Sequence, residues 1–66
     1  MTRTQYVLIP KNPWLRQEDE ASDLLEGLVL NQFTNVETIA VWTEEVPAHA
    51  THDRLWMEFN GEPKDD

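Results

Sequence analysis

Cysteine is absent from this 66-residue chain, so neither disulfides nor Cys-based zinc sites can staple it. Glycine occurs only at Gly27 and Gly61, far apart, which leaves no Gly-rich loop to cradle a phosphate. Cations are scarce. Five Lys plus Arg stand against 13 Asp plus Glu, for a net charge of −8. Such a balance disfavours direct binding to nucleic acid, whose phosphates need Lys and Arg in excess, and to anionic membrane surfaces. Long apolar runs are missing too. The longest strictly apolar run is four residues, as in Tyr6-Val7-Leu8-Ile9, short of the roughly 7–15 residues of a secretory signal core and the roughly 20 of a membrane span. The expectation is a soluble, cytoplasmic protein. Nucleophilic catalysis has one serine to draw on, Ser22, and it falls inside a helical pattern. A chain of this length buries only about 60% of its unfolded surface and rarely encloses a pocket able to raise a carboxyl pKa. No enzymatic activity and no cofactor are expected.

What is present reads as strand, helix, strand, strand. The run Thr4 to Ile9 carries Tyr, Val and Ile, which fit a pleated surface, and Pro10 ends it because proline cannot donate to a ladder. Asn12-Pro13 offers a helix start, with Asn as N-cap and Pro at the first helical position. A start near Gln17, leaving Trp14 on a loop, is the alternative. Ala21, Leu24, Leu25, Leu28 and Val29 recur at i, i+3, i+4, i+7 and i+8, one face of a helix that ends near Asn31. A second strand spans Val36 to Thr43, with Ile39 and Val41 alternating with Ala40 and Trp42. A third spans Arg54 to Asn60. There Leu55, Met57 and Phe59 point one way and Arg54, Trp56 and Glu58 the other. Asn60-Gly61 reads as the turn that ends it, before a charged, disordered tail over 62–66.

These elements predict a single α+β domain over residues 1–61. The strand–helix–strand unit crosses over right-handed, and the third strand returns antiparallel. Placed centrally, it gives a three-stranded, mostly antiparallel sheet of order 1-3-2, the first half of a ferredoxin-like arrangement. One amphipathic helix packs on one sheet face through Leu55, Met57, Phe59, Ile39 and Val41. The other face has no helix to cover it. By parity it carries Trp42 and Trp56, joined by Tyr6, as an apolar patch of the kind that marks interfaces. Should the register be off by one residue, these tryptophans belong to the core instead.

Two further groups carry chemistry. His49 and His52, with Asp53 beside them and Glu44 and Glu45 upstream, are suitable metal ligands by type, yet a flexible loop does not fix their geometry. No metal site is expected there. The acidic pattern is more pointed. Glu18, Asp19, Glu20, Asp23 and Glu26 share the helix, and Asp19, Asp23 and Glu26 follow i, i+4, i+7 along one stripe. At about 1.5 Å rise per residue, neighbours in that stripe lie about 4.5–6 Å apart, comparable to charge spacings on a nucleic-acid backbone. The stripe is either a solvated helix face that keeps the chain soluble or a surface that docks on a basic partner. A third reading is halophilic adaptation.

In size, acidity and element order, residues 4–60 look like small bacteriophage proteins that shut down host machinery. Phage inhibitors of bacterial RNA polymerase, phage DNA mimics and some anti-CRISPR proteins share the profile. That resemblance rests on architecture and charge, and it assigns no residue a role. It implies inhibition by protein binding in the host cytoplasm. The leading expectation is thus an acidic binding module that inhibits or modulates a nucleic-acid-handling enzyme such as RNA polymerase or a nuclease. The helix carboxylates would steer it, and Trp14, Trp42, Trp56 or Tyr6 would anchor it, since Trp and Tyr are enriched at hot spots. The alternative is a structural or assembly subunit that forms a homo-oligomer, such as a homodimer, through the tryptophan-bearing sheet face.

Overall fold

The computed structural model describes residues 2–12, 14 and 17–64. Strand β1 (Thr2–Pro10) leads to helix α1 (Glu18–Gln32), then strand β2 (Phe33–Glu44) and strand β3 (His52–Pro63). The three strands form one sheet of order β1-β3-β2. Both pairings are antiparallel, Tyr6 lying opposite Trp56 and Trp42 opposite Trp56 from the other side. The α+β fold and the central place of the last strand match the sequence reading.

One sheet face packs on α1. Ile9, Leu25, Val29, Leu55, Met57 and Phe59 form the core, with Val7, Ala21, Phe33 and Val36 packed at its margin. The helix contributes Leu25 and Val29 fully and Leu28 in part, whereas Leu24 lies on the edge of the stripe and is 60% exposed. Asp53, Leu55, Met57, Phe59 and Gly61 are buried at every second position of β3, and the alternate residues lie on the open side.

The structure differs from the sequence reading at particular places, each for a physical reason. The helix takes the alternative start near Gln17, with Trp14 outside it, rather than a start at Asn12; Pro13 lies outside the described residues. Asn12 instead accepts the Trp14 N–H at 3.0 Å in a local turn, and α1 begins at Glu18 with Ala21 N–H donating to the Gln17 carbonyl at 2.9 Å. The acids Glu18, Asp19 and Glu20 occupy its first turn, where the helix dipole favours them. Strand β3 does not end at Asn60-Gly61. Gly61 is buried, and a β-carbon there would lie 3.4 Å from Phe59 Cδ2 and 3.5 Å from Phe33 Cβ. The glycine admits the Phe33 and Phe59 rings, edge to face with centroids 5.1 Å apart, and the strand runs through to Pro63. Glu62 and Pro63 therefore belong to the sheet, and Lys64 N–H bonds the Gln32 carbonyl at 3.0 Å. Residues 65 and 66 of the expected tail lie outside the described residues.

A further difference concerns Ile39 and Val41, which do not join the core; they are 50% and 49% exposed. Strand β2 slips register twice, between Thr34 and Glu37 and between Thr38 and Ala40. At the first slip Asn35 adopts a left-handed conformation, with φ 56°, that asparagine tolerates, and its side chain donates to Glu62 Oε2 at 3.1 Å. The slip turns Val36 toward the core. Ile39 is the extra residue at the second slip and has no partner opposite it. Val41 does face the helix side, opposite Met57, but a helix about 10 Å across spans only about two strands spaced about 4.8 Å apart. α1 sits closest to β1 and meets β2 at Phe33 and Val36, so Val41, further along β2, lies beyond its cover.

Candidate functional site

On the face away from α1, three aromatic side chains cross the sheet in one row. Tyr6 of β1 and Trp56 of β3 have ring centroids 4.9 Å apart, and Trp42 of β2 stacks beside Trp56 at 6.2 Å with planes 12° apart. Antiparallel register puts all three directly opposite one another, so the row follows from strand pairing rather than from any loop. Tyr6 is 43% and Trp42 41% exposed, and neighbouring Leu8 extends the apolar surface.

The next row toward Pro10 is Leu8, Arg54 and Glu44. There one carboxylate organises the site. Glu44 Oε1 accepts the Trp56 indole N–H at 2.9 Å and the Arg54 Nη1–H at 3.1 Å. The Trp56 hydrogen bond, then that of Arg54, holds the Glu44 carboxyl below the usual glutamate range. The Arg54 guanidinium in turn lies 5.3 Å over the Tyr6 ring. The row on the other side is Thr4, Glu58 and Ala40, with Glu58 half-buried between two short side chains.

Tyr6, Trp42 and Trp56 thus come together as the sequence placed them. Trp14 does not join them; it stands on the connection from β1 to α1, 93% exposed. The acidic residues Glu18, Asp19, Glu20, Asp23 and Glu26 are all exposed on α1, across the sheet from the aromatic row. They contribute to the field of the molecule and not to the row itself. Arg54 and Glu58 shared Trp56's parity in the sequence. Glu44 could be added only once the β2 register was known, because it reaches Arg54 and Trp56 from another strand.

The histidines make a different structure. His49 Nδ1 accepts the backbone N–H of His52 at 3.1 Å and that of Thr51 at 3.4 Å, which ties the β2–β3 loop closed. The His49 and His52 rings meet edge to face with centroids 5.7 Å apart. Asp53 does not complete a ligand set with them. It is buried, accepts the Val46 N–H at 3.1 Å, and lies 3.8 Å from Lys11 Nζ. Among the described residues no three His, Asp or Glu side chains converge as metal ligands. No helix among them is long and apolar enough to cross a membrane.

Fold and site together define a small acidic α+β module that presents an aromatic sheet face. Compared with protein-family models, curated proteins and solved structures, the chain matches none.

Proposed function

We propose that this chain is a protein-binding module that docks its open sheet face on a basic surface of another protein. In doing so it inhibits or modulates a nucleic-acid-handling enzyme. The observation that carries this reading is the row Tyr6–Trp56–Trp42, large apolar rings on the one sheet face that the single helix cannot reach. Rigid aromatics on strands supply contact area at low entropic cost, which is why they act as anchors. The net charge of −8 sets the sign of the partner. The exposed carboxylates of α1 draw a basic surface in from a distance, which speeds encounter and makes it sensitive to salt. A surface that is both basic and extended is one that handles nucleic acid, and occupying it excludes that ligand. Self-association through the same face would set two strongly acidic chains against each other and bring their Glu58 side chains into one interface.

Affinity capture from a bacterial lysate at low and high salt, followed by competition assays on the purified captured protein, tests this. The expected result is an enzyme that is retained at low salt, lost with Trp42→Ala, and displaced from DNA or RNA by this protein. Trp42 is 41% exposed and stacks on Trp56, so a urea midpoint read beside the capture shows whether the variant folds. Capture indifferent to Trp42→Ala, or sedimentation showing a homodimer that the same change dissociates, would overturn the proposal. The second outcome would favour self-assembly.

A further inference from the structure

We propose that the position over Glu58 on the open sheet face is a binding notch for the guanidinium group of an arginine in the basic partner. This rests on the open face being the docking surface. Glu58 lies mid-strand on β3, with Thr4 opposite on one side and Ala40 on the other. Two residues along the same strand stands Trp56, and Trp42 lies diagonally across. The carboxylate is therefore bounded by the aromatic row on one flank and by short side chains on two others. It is half-buried, and among the described residues it makes no hydrogen bond and no ion pair. A carboxylate part-withdrawn from water gains most from a cation that can also donate hydrogen bonds to it.

The chain itself displays the matching solution on the other flank of the row. There the Arg54 guanidinium lies 5.3 Å over Tyr6 and donates to Glu44 at 3.1 Å. One aromatic row is thus bracketed by two carboxylates, Glu44 with an arginine in place and Glu58 without one. The chain's other described cations near the sheet are engaged elsewhere. Arg3 lies 5.0 Å over Phe33 and donates to the Gly61 carbonyl at 3.4 Å on the helix side. Lys11 donates to the Val46 carbonyl at 2.6 Å. Arginine fits the notch better than lysine because its planar fork stacks on an indole and donates two parallel hydrogen bonds to a carboxylate, whereas an ammonium is a hydrated point charge.

The test is a titration of the protein with a short, end-blocked peptide of alternating glycine and arginine. It is followed by the Trp42 and Trp56 indole resonances and the Glu58 and Ala40 amides, beside the same peptide carrying lysine or citrulline. The expected result is saturable shifts at those four positions, a several-fold weaker lysine peptide and no binding by citrulline. Glu58→Gln should weaken the arginine peptide by about three- to tenfold, in line with the loss of a charge-assisted pair. Ala40→Leu, which fills the notch without touching the carboxylate, should weaken it as much. Urea midpoints report whether each variant folds. Loss of binding with Trp42→Ala but not with Glu58→Gln or Ala40→Leu would overturn the notch and leave aromatic docking standing. Shifts confined to α1, abolished by Asp23→Lys/Glu26→Lys and indifferent to Trp42→Ala, would overturn both. Equal binding of arginine and lysine peptides, or none by either, would also overturn the notch.

Discussion

Gly27 and Gly61 show how much a single side chain means in a core this small. Gly27 is an exposed, mid-helix glycine, and a β-carbon there meets nothing described within 4 Å. Gly27→Ala should therefore raise stability by about 0.8–1 kcal/mol, read as a higher urea midpoint at unchanged slope. A β-carbon at Gly61 would lie 3.4–3.5 Å from the Phe59 ring and 3.5 Å from Phe33 Cβ. Gly61→Val should cost about 1–3 kcal/mol in the same measurement, because the rings must shift to admit two methyl groups. Glu44 supplies a pH prediction at the same scale. Its carboxyl is held below the ordinary glutamate value, first by the Trp56 indole and then by Arg54. A depressed folded-state pKa contributes stability that is present above the unfolded value and is lost as pH falls through the folded one. The window thus lies below about pH 4.3, the ordinary value for glutamate. Trp56→Phe keeps the ring and removes the larger cause. The Glu44 carboxyl carbon, followed by NMR, should then titrate at a higher pH than in the wild type. An unchanged midpoint would assign the depression to Arg54 alone.

At the scale of elements, β2 separates what was legible from what was not. Strand β3 alternates without interruption, so Leu55, Met57 and Phe59 fell on the core side and Trp56 on the open side by parity alone. The order 1-3-2 followed from connection rules and one right-handed crossover. Strand β2 has two register slips, and the second switches its helix-facing set from Val36 and Thr38 to Val41 and Thr43. No count along the sequence reveals a slip, because a slip is defined only against the partner strand. Ile39 makes the point measurable. Read by parity it is a core residue, and Ile39→Thr would cost well over 1 kcal/mol. Sitting half exposed at a bulge, it should change stability by no more than about 0.5 kcal/mol. Gly61 misled for a related reason. Asn-Gly is a strong local turn signal, yet here the glycine serves a ring contact whose other members, Phe33 and Phe59, come from two strands. Of the candidate site, the shared face of Tyr6, Trp42 and Trp56 was legible because it needs only strand parity, whereas their alignment in one row needs register. The Glu44–Arg54–Trp56 triad was not, because it needs register between strands.

At the scale of the whole molecule the governing quantity is the charge. The chain measures 37 × 21 × 20 Å along its principal axes, and the Debye length is about 30 Å at 0.01 M salt and about 10 Å at 0.1 M. At low salt each exposed carboxylate therefore feels nearly all the others, and that repulsion disfavours the compact state. Stability, measured with uncharged urea as denaturant, should rise as sodium chloride is added and level off once the Debye length falls below the spacing of the charges. Asp23→Lys/Glu26→Lys changes the net charge from −8 to −8 + 4 = −4, and its salt response should be visibly smaller. The double variant leaves Glu18, Asp19 and Glu20 in the first turn, where they favour the helix, and its first substitution puts an ammonium four residues after Asp19 in the attractive order. It should therefore fold at least as well as the wild type at low salt. The same curves decide between two origins of the acidity. Screening of ordinary Coulomb repulsion is nearly complete by about 0.2 M salt. A midpoint that kept climbing far beyond that in the wild type, and in the double variant alike, would mark adaptation to a saline interior. The carboxylates of α1 would then lose their claim to steer a basic partner.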